Sequence, residues 1–128
     1  MQDVSVNERL DPANDVAEEM WSLAAKFKAL SHPKRLGIFN MLMEGVHCNC
    51  EISERLDLSL SLVSHHMRIL EEAGLVDSER DKEDARWIYY TINCEALGAL
   101  AHEIARFLDV ARIKPRLPSC GPSGCTKC

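Results

Sequence analysis

Two short helical patterns joined by a tight polar break constrain the fold of this chain more than any other feature. The first pattern covers residues 50–56, with apolar positions four apart on one helix face. A polar break follows at residues 57–59, where Ser59 is a suitable N-cap for a second helix over residues 60–73. We predict that the buried stripe of this second helix consists of Leu62, Ile69, Leu70 and Ala73. Such a pair is typical of a helix-turn-helix.

After these helices the hydrophobic pattern changes from a helical period to that of strands. Residues 86–92 are rich in β-branched and aromatic side chains, and a charged loop separates them from a shorter run at residues 75–80. This pattern predicts a β-hairpin. A helix-turn-helix followed by a hairpin is a winged helix-turn-helix.

Further amphipathic helices are predicted over residues 13–30, 33–44 and 94–112. In the second of these we expect four buried side chains, those of Leu36, Phe39, Leu42 and Met43. The first and last helices have wider apolar faces than a small core needs, which favours a symmetric homodimer. The predicted fold is therefore mainly α with a β-hairpin, a winged helix-turn-helix with additional N- and C-terminal dimerisation helices.

A chain of 128 residues accommodates one compact domain. We predict a flexible N-terminal arm at residues 1–12, a DNA-binding and dimerisation domain at residues 13–112, and a Cys-rich C-terminal tail at residues 113–128. The sequence has no signal-peptide pattern and no apolar run near the roughly 20 residues of a membrane span. We therefore expect a cytoplasmic protein without a membrane partner.

The six cysteines are grouped rather than scattered. Cys48 and Cys50 are one residue apart, Cys94 opens the last predicted helix, and the tail contains Cys120, Cys125 and Cys128. In a reducing compartment, grouped thiols more often bind metal or sense oxidants than form structural disulfides. Because thiolate sulfur binds soft ions strongly, we assign Cys48, Cys50 and the tail cysteines as candidate ligands. Cys94, a lone cysteine, is more simply a small buried hydrophobic residue.

The candidate DNA contacts lie on the second helix of the helix-turn-helix and on the hairpin. The net charge of −5 gives no support by itself, because phosphate binding depends on local positive charge. Small, polar and basic helix residues face away from the predicted stripe: Ser61, Ser64, His65 and Arg68. The hairpin contributes Arg80, Lys82 and Arg86, although its acidic residues leave open a merely solvated face. His66 is predicted to pack rather than to contact bases.

Four segments of the chain resemble the ArsR/SmtB family of metal-responsive repressors. They are KALSHPKRL at 28–36, LSLSLVSHHMRIL at 58–70, EEAGLV at 71–76 and RWIYYTI at 86–92. The resemblance covers about residues 16–112. It implies a homodimer that binds double-stranded, palindromic operator DNA without metal and releases it when metal binds.

The arsenite, cadmium and lead sensors of this family are similar to the chain at a further segment, VHCNCE at 46–51. They carry Cys-x-Cys-Asp/Glu at the start of the helix that precedes the recognition helix. From the thiolate ligands we expect arsenite as the sensed ion, with antimonite, cadmium or lead as alternatives. In arsenite sensors with three ligands on this helix, the third cysteine stands where this chain has Ser53. A tail thiol, from the same or the partner subunit, or Cys94 must then complete the site, or the tail forms its own.

Two other functions remain open. A redox or sulfane-sulfur-sensing repressor would use the same thiols to form disulfides or polysulfides. A thiol-rich metal carrier would not bind DNA, which would leave the polar face of the second helix without a role. The chain has no phosphate loop, paired catalytic carboxylates or nucleophile with a base and orienting group, so we predict that it is not an enzyme.

Overall fold

The computed structural model describes residues 17–116. In chain order these form α1 (Glu18–Leu30), α2 (Pro33–Met43), α3 (Asn49–Leu56), α4 (Leu60–Glu72), β1 (Val76–Arg80), β2 (Ile88–Ile92), α5 (Cys94–Phe107) and a 3-10 turn (Val110–Arg112). The prediction of a mainly helical winged helix-turn-helix is confirmed. The predicted arm at residues 1–12 and the tail cysteines Cys120, Cys125 and Cys128 lie outside the described residues.

Local capping determines where the helices begin. His32 is the N-cap of α2, and its Nδ1 accepts a hydrogen bond of 3.0 Å from the backbone N–H of Lys34. Pro33 occupies the first position of this helix, where its missing N–H costs nothing. The Ser59 hydroxyl accepts the N–H of the third residue of α4 at 3.1 Å, and Asn93 Oδ1 caps α5 likewise at 3.0 Å. After α4, Gly74 adopts a φ of 78°, which turns the chain into β1.

The core lies between α2, α3, α4 and the hairpin. Its fully buried side chains are Ile38, Ile52, Val63, Met67, Leu70, Leu75 and Val76. The hairpin, hereafter the wing, is antiparallel, with Val76 opposite Ile92 and Arg80 opposite Ile88. Within residues 17–116, none of the helices combines the length and apolar character that a membrane crossing requires.

The predicted buried stripe on α4 is confirmed at Leu70, with Ile69 and Ala73 partly buried, but it is wrong at Leu62. The buried residues are Val63, His66, Met67 and Leu70, whereas Leu62 leaves 45% of its surface exposed. Leu62 immediately precedes Val63, so it lies about 100° round the helix from the core-facing residues. The prediction that His66 packs is confirmed.

The predicted inner face of α2 also needs correction. Leu36 and Met43 are 51% and 59% exposed, whereas Leu42 is buried as expected. Arg35 is buried together with Ile38, because its guanidinium points inward and forms hydrogen bonds with the end of α1 and with His66. An arginine on the inner face rotates the helix away from the orientation that apolar residues alone indicate.

The last helix was predicted to continue to residue 112, but it ends at Phe107. Asp109 Oδ1 accepts the N–H of Ala111 at 2.9 Å and so caps a separate 3-10 turn. The Arg112 guanidinium donates to the Phe107 carbonyl and lies over the Phe107 ring. These contacts satisfy the end of α5 in place of another helical turn.

Candidate functional site

Cys48 and Cys50 lie where α3 meets the wing. Cys48 is the N-cap of α3 in an extended conformation, and Cys50 is the second residue of the helix. Cys48 forms an isolated antiparallel bridge with Tyr89 of β2, and the Tyr90 N–H donates to the His47 carbonyl at 2.8 Å. Both cysteines are half-buried. The thiol pair is thus joined to the helix-turn-helix and to the wing.

The surroundings of Cys50 favour its protonated thiol when no ion is bound. Burial raises the pKa of Cys50, and the adjacent Cys48 raises it further by charge repulsion and a hydrogen bond. Asp84 acts in the same direction, whereas the Arg86 guanidinium lowers this pKa. A thiophilic cation placed between the sulfurs would remove the repulsion that two thiolates experience here.

The described residues place two thiols next to each other in sequence, with no third thiol beside them. Ser53, at the position of a third cysteine, donates its hydroxyl hydrogen to the Leu58 carbonyl at 2.5 Å and so helps to close α3. Within residues 17–116, no group of three or more His, Cys, Asp or Glu side chains is arranged to hold a metal ion. The donor chemistry at Cys48 and Cys50 suits a soft ion, but a three-thiolate ion needs a further ligand that does not lie beside this pair in the described residues.

Cys94 is separate from this pair in the fold. It is the first residue of α5 and is exposed, with Sγ 3.8 Å from the Ile92 carbonyl oxygen. The expectation that Cys94 is a buried hydrophobic residue is wrong for the described chain. Cys94 and His47 line one shallow apolar groove beside β2.

The polar residues predicted on the recognition helix share one face of α4. Ser61, His65 and Arg68 are exposed and Ser64 is half-buried. They recur at three- and four-residue spacing and lie away from the buried Val63, Met67 and Leu70. This face carries hydroxyl, imidazole and guanidinium donors suited to phosphates and base edges.

The loop between the two strands of the wing is charged and has its own internal hydrogen bonds. Arg86 makes two bonds to the Asp84 carboxylate, of 2.7 and 3.0 Å, and Arg80 Nη1 donates to the Ala85 carbonyl at 2.6 Å. Asp81 accepts the N–H groups of Glu83 and Asp84, each at 3.0 Å, while Lys82 is exposed. Several acidic groups therefore build the loop itself, and the arginines have internal partners.

Comparison with known proteins decides the family. Residues 32–78 match the model of the bacterial regulatory protein, arsR family. The chain is 35% identical over 79 residues to the arsenical resistance operon repressor of Bacillus subtilis, covering 61% of this chain and 72% of that protein. This chain belongs to the ArsR family. An ArsR-family protein is a helix-turn-helix transcriptional regulator, not an enzyme.

Other ArsR-like sequences and structures agree with this assignment. The chain is 38% identical over 72 residues to the cadmium resistance transcriptional regulatory protein CadC of Listeria innocua, covering 56% of this chain and 58% of that protein. The solved structure of HlyU from Vibrio cholerae has a TM-score of 0.56 and 26% identity, covering 73% of this chain and 98% of HlyU. The last comparison supports the winged helix-turn-helix.

Two residues of this ArsR-family chain escaped the sequence reasoning. Arg35 is 9% exposed and connects α2 to α1 and to α4. The sequence signal for its burial was its position one helical turn before Ile38, on the inner face of α2. Asn49, between the cysteines, is 6% exposed and contacts the wing. No sequence pattern indicated that contact, because its partners come from distant parts of the chain.

Proposed function

We propose that this ArsR-family regulator is a repressor that binds operator DNA as a homodimer and releases it when a thiophilic ion binds Cys48 and Cys50. The observation that carries the proposal is the position of the two cysteines, which are one residue apart at the start of α3, with the backbone of Cys48 bridged to Tyr89 of β2. An ion that draws these sulfurs together acts on the first helix of the helix-turn-helix and on the wing.

We propose arsenite as the ion, with antimonite, cadmium or lead as alternatives. Arsenite-type arsenic takes three thiolates, and cadmium or lead takes three or four. The names of the relatives, an arsenical resistance repressor and a cadmium resistance regulatory protein, are in keeping with this ion class. The described residues offer two neighbouring thiolates, so a further one must come from the tail, from Cys120, Cys125 or Cys128, or from Cys94. The tail thiols can close over the pair from the same or the partner subunit, or form a second site.

The proposed domain organisation follows from this. Residues 13–112 would form the DNA-binding and dimerisation domain, and residues 113–128 would be the tail that brings thiols to the ion. Exposed apolar side chains on α1 and after α5 support a homodimer, because a single copy leaves them in water. They are Trp21, Phe27, Leu108, Val110 and Ile113.

DNA contact is assigned to the outer face of α4 and to the wing. On α4 the proposed contacts are Ser61, Ser64, His65 and Arg68, and on the wing they are Arg80, Lys82 and Arg86. In a twofold dimer the two α4 helices meet half-sites about 34 Å apart. A small rotation of each subunit therefore removes contacts in pairs, and a coupling of about 1–3 kcal/mol weakens operator binding about 5- to 150-fold.

The test begins with selection of an operator from a random duplex pool by the reduced protein, followed by fluorescence anisotropy under anaerobic conditions. The complex is titrated with arsenite, antimonite, cadmium, lead and zinc, and separately with polysulfide. We expect release at stoichiometric amounts of one thiophilic ion, lost when Cys48 and Cys50 are both changed to Ser. Cys94→Ser is the matched control for loss of a thiol elsewhere.

Two results would redirect the assignment. Release by polysulfide and by no ion would indicate a redox or sulfane-sulfur sensor on the same fold. Failure to select any specific DNA, with thiophilic ions still bound, would indicate a metal carrier.

A further inference from the structure

We infer that Asn49 is a positioning residue that transmits ion binding at Cys48 and Cys50 to the wing. The inference rests on the proposed function and deepens it, because it names the side chain that couples the ion site to a DNA-binding element. Asn49 stands between the two cysteines in sequence and is 6% exposed.

Both polar atoms of the Asn49 amide bind the start of β2. Oδ1 accepts the backbone N–H of Ile88 at 3.3 Å, and Nδ2 donates to the backbone carbonyl of Arg86 at 3.2 Å. Oδ1 also accepts the N–H of Cys50 at 2.9 Å. Because the donor and acceptor needs of residues 86 and 88 differ, the amide satisfies them in one orientation only. Asn49 thus fixes the wing to the backbone that carries the thiols.

This link closes the edge of β2 that faces away from β1. On the inner side, the Asp81 N–H donates to the Trp87 carbonyl at 2.9 Å. On the outer side, His47 accepts from Tyr90 and Asn49 accepts from Ile88. The segment 47–49 therefore behaves as a short added strand on the wing, and the wing follows any displacement of this segment.

An ion on the thiols has a direct route to this amide. Cys48 Sγ donates to Asn49 Oδ1 at 3.6 Å, and a sulfur bonded to an ion has no proton left for that contact. Bringing both sulfurs to one ion also shifts the backbone on either side of Asn49. The shift reaches Arg86, whose side chain is a proposed DNA contact and lies close enough to Cys50 for the two groups to interact electrostatically.

The test compares operator affinity in wild type and in Asn49→Ala, each without and with arsenite, antimonite, cadmium or lead. In wild type we expect the ion to weaken binding about 5- to 150-fold. In Asn49→Ala we expect the same number of ions per chain, measured by thiolate-to-ion absorbance, but a ratio of affinities below about twofold. A purely structural role would lower affinity in both states and leave this ratio unchanged. Asn40→Ala is the matched control, because Asn40 is exposed on α2 and its amide bonds only Glu44 among the contacts of the described residues, at 3.4 Å.

The outcomes separate the two proposals. If wild type responds to the ion and Asn49→Ala shows the same ratio of operator affinities as wild type, the role of Asn49 is overturned and the sensor is left intact. No response of wild type to any ion overturns the sensor and this inference with it. If Asn49→Ala does not fold, hydrogen exchange on the wild-type chain decides. The ion should speed exchange of the Ile88 amide and leave that of Leu62, which is bonded to Ser59, unchanged. Unchanged exchange at Ile88 overturns the inference.

Discussion

Replacing Arg35 by Met tests how the recognition helix is held in place. Arg35 is 9% exposed, and its guanidinium donates from Nε to the Ala29 carbonyl at 2.6 Å, at the C-terminal end of α1. Nη1 is 3.2 Å from His66 Nδ1 on α4, and Nη2 is 3.5 Å from the Lys28 carbonyl oxygen. One side chain of α2 therefore connects two other helices, and its charge suits a helix C-terminus.

The expected loss of stability follows from the groups left behind. Methionine retains most of the apolar stem, so the main effect is the loss of the hydrogen bonds. The Ala29 carbonyl and His66 Nδ1 each lose a partner in a buried setting, which costs about 1–3 kcal/mol per group. Removal of a buried cation offsets part of this. We therefore expect the free energy of unfolding to fall by about 2–4 kcal/mol.

Urea denaturation followed by circular dichroism measures this change. Wild type and variant are compared at one protein concentration, because dimerisation would make the midpoint concentration-dependent. Lys34→Met is the control, since Lys34 is the exposed neighbour of Arg35, and we expect a change within about 0.5 kcal/mol. A loss below about 1 kcal/mol in Arg35→Met would refute the role assigned to its hydrogen bonds.

Three further predictions concern α4. Burial first, then His32 and Arg35, lower the pKa of His66. The free energy of unfolding should therefore fall as the pH drops below about 6.5, the unfolded value, towards the native pKa. His66→Gln should remove this contribution, at most about 1.4 kcal/mol per pH unit, as urea midpoints across that range would show. Ser59→Ala should lose about 1 kcal/mol in the same assay, because it removes the α4 cap. Arg68→Ala should weaken operator binding and reduce the slope of log affinity against log salt by about 1; an unchanged slope would place Arg68 away from phosphates.

The order of the elements could be predicted from the sequence because each carries its own period and its own cap. Ser59 and Asn93 mark the starts of α4 and α5, and the β-branched run identifies β2. The side that each helix turns to the core was less predictable. Leu62 and Leu36 are apolar but exposed, because the inner positions are taken by Val63 and by Arg35. Burial of an arginine depends on carbonyl and imidazole partners that only the tertiary fold brings together.

The candidate site was predictable in part for the same reason. The Cys-x-Cys spacing located two neighbouring thiols at the start of α3, and the structure places them there. Their attachment to the wing was not predictable, since Asn49 and Ile88 are separated by 39 positions in sequence. Periodicity reports only on neighbours within one element, whereas this contact joins the first turn of a helix to the first residue of a strand.

The affinity of the ion for the free regulator and for its operator complex tests the central claim most directly. Because coupling between two ligands is reciprocal, an ion that weakens operator binding must itself bind less tightly to the DNA-bound protein, by the same factor. We predict a difference of about 5- to 150-fold between the two ion affinities, abolished when Cys48 and Cys50 are changed to Ser. Equal ion affinities in the presence and absence of operator would contradict the proposal that Cys48 and Cys50 control DNA binding.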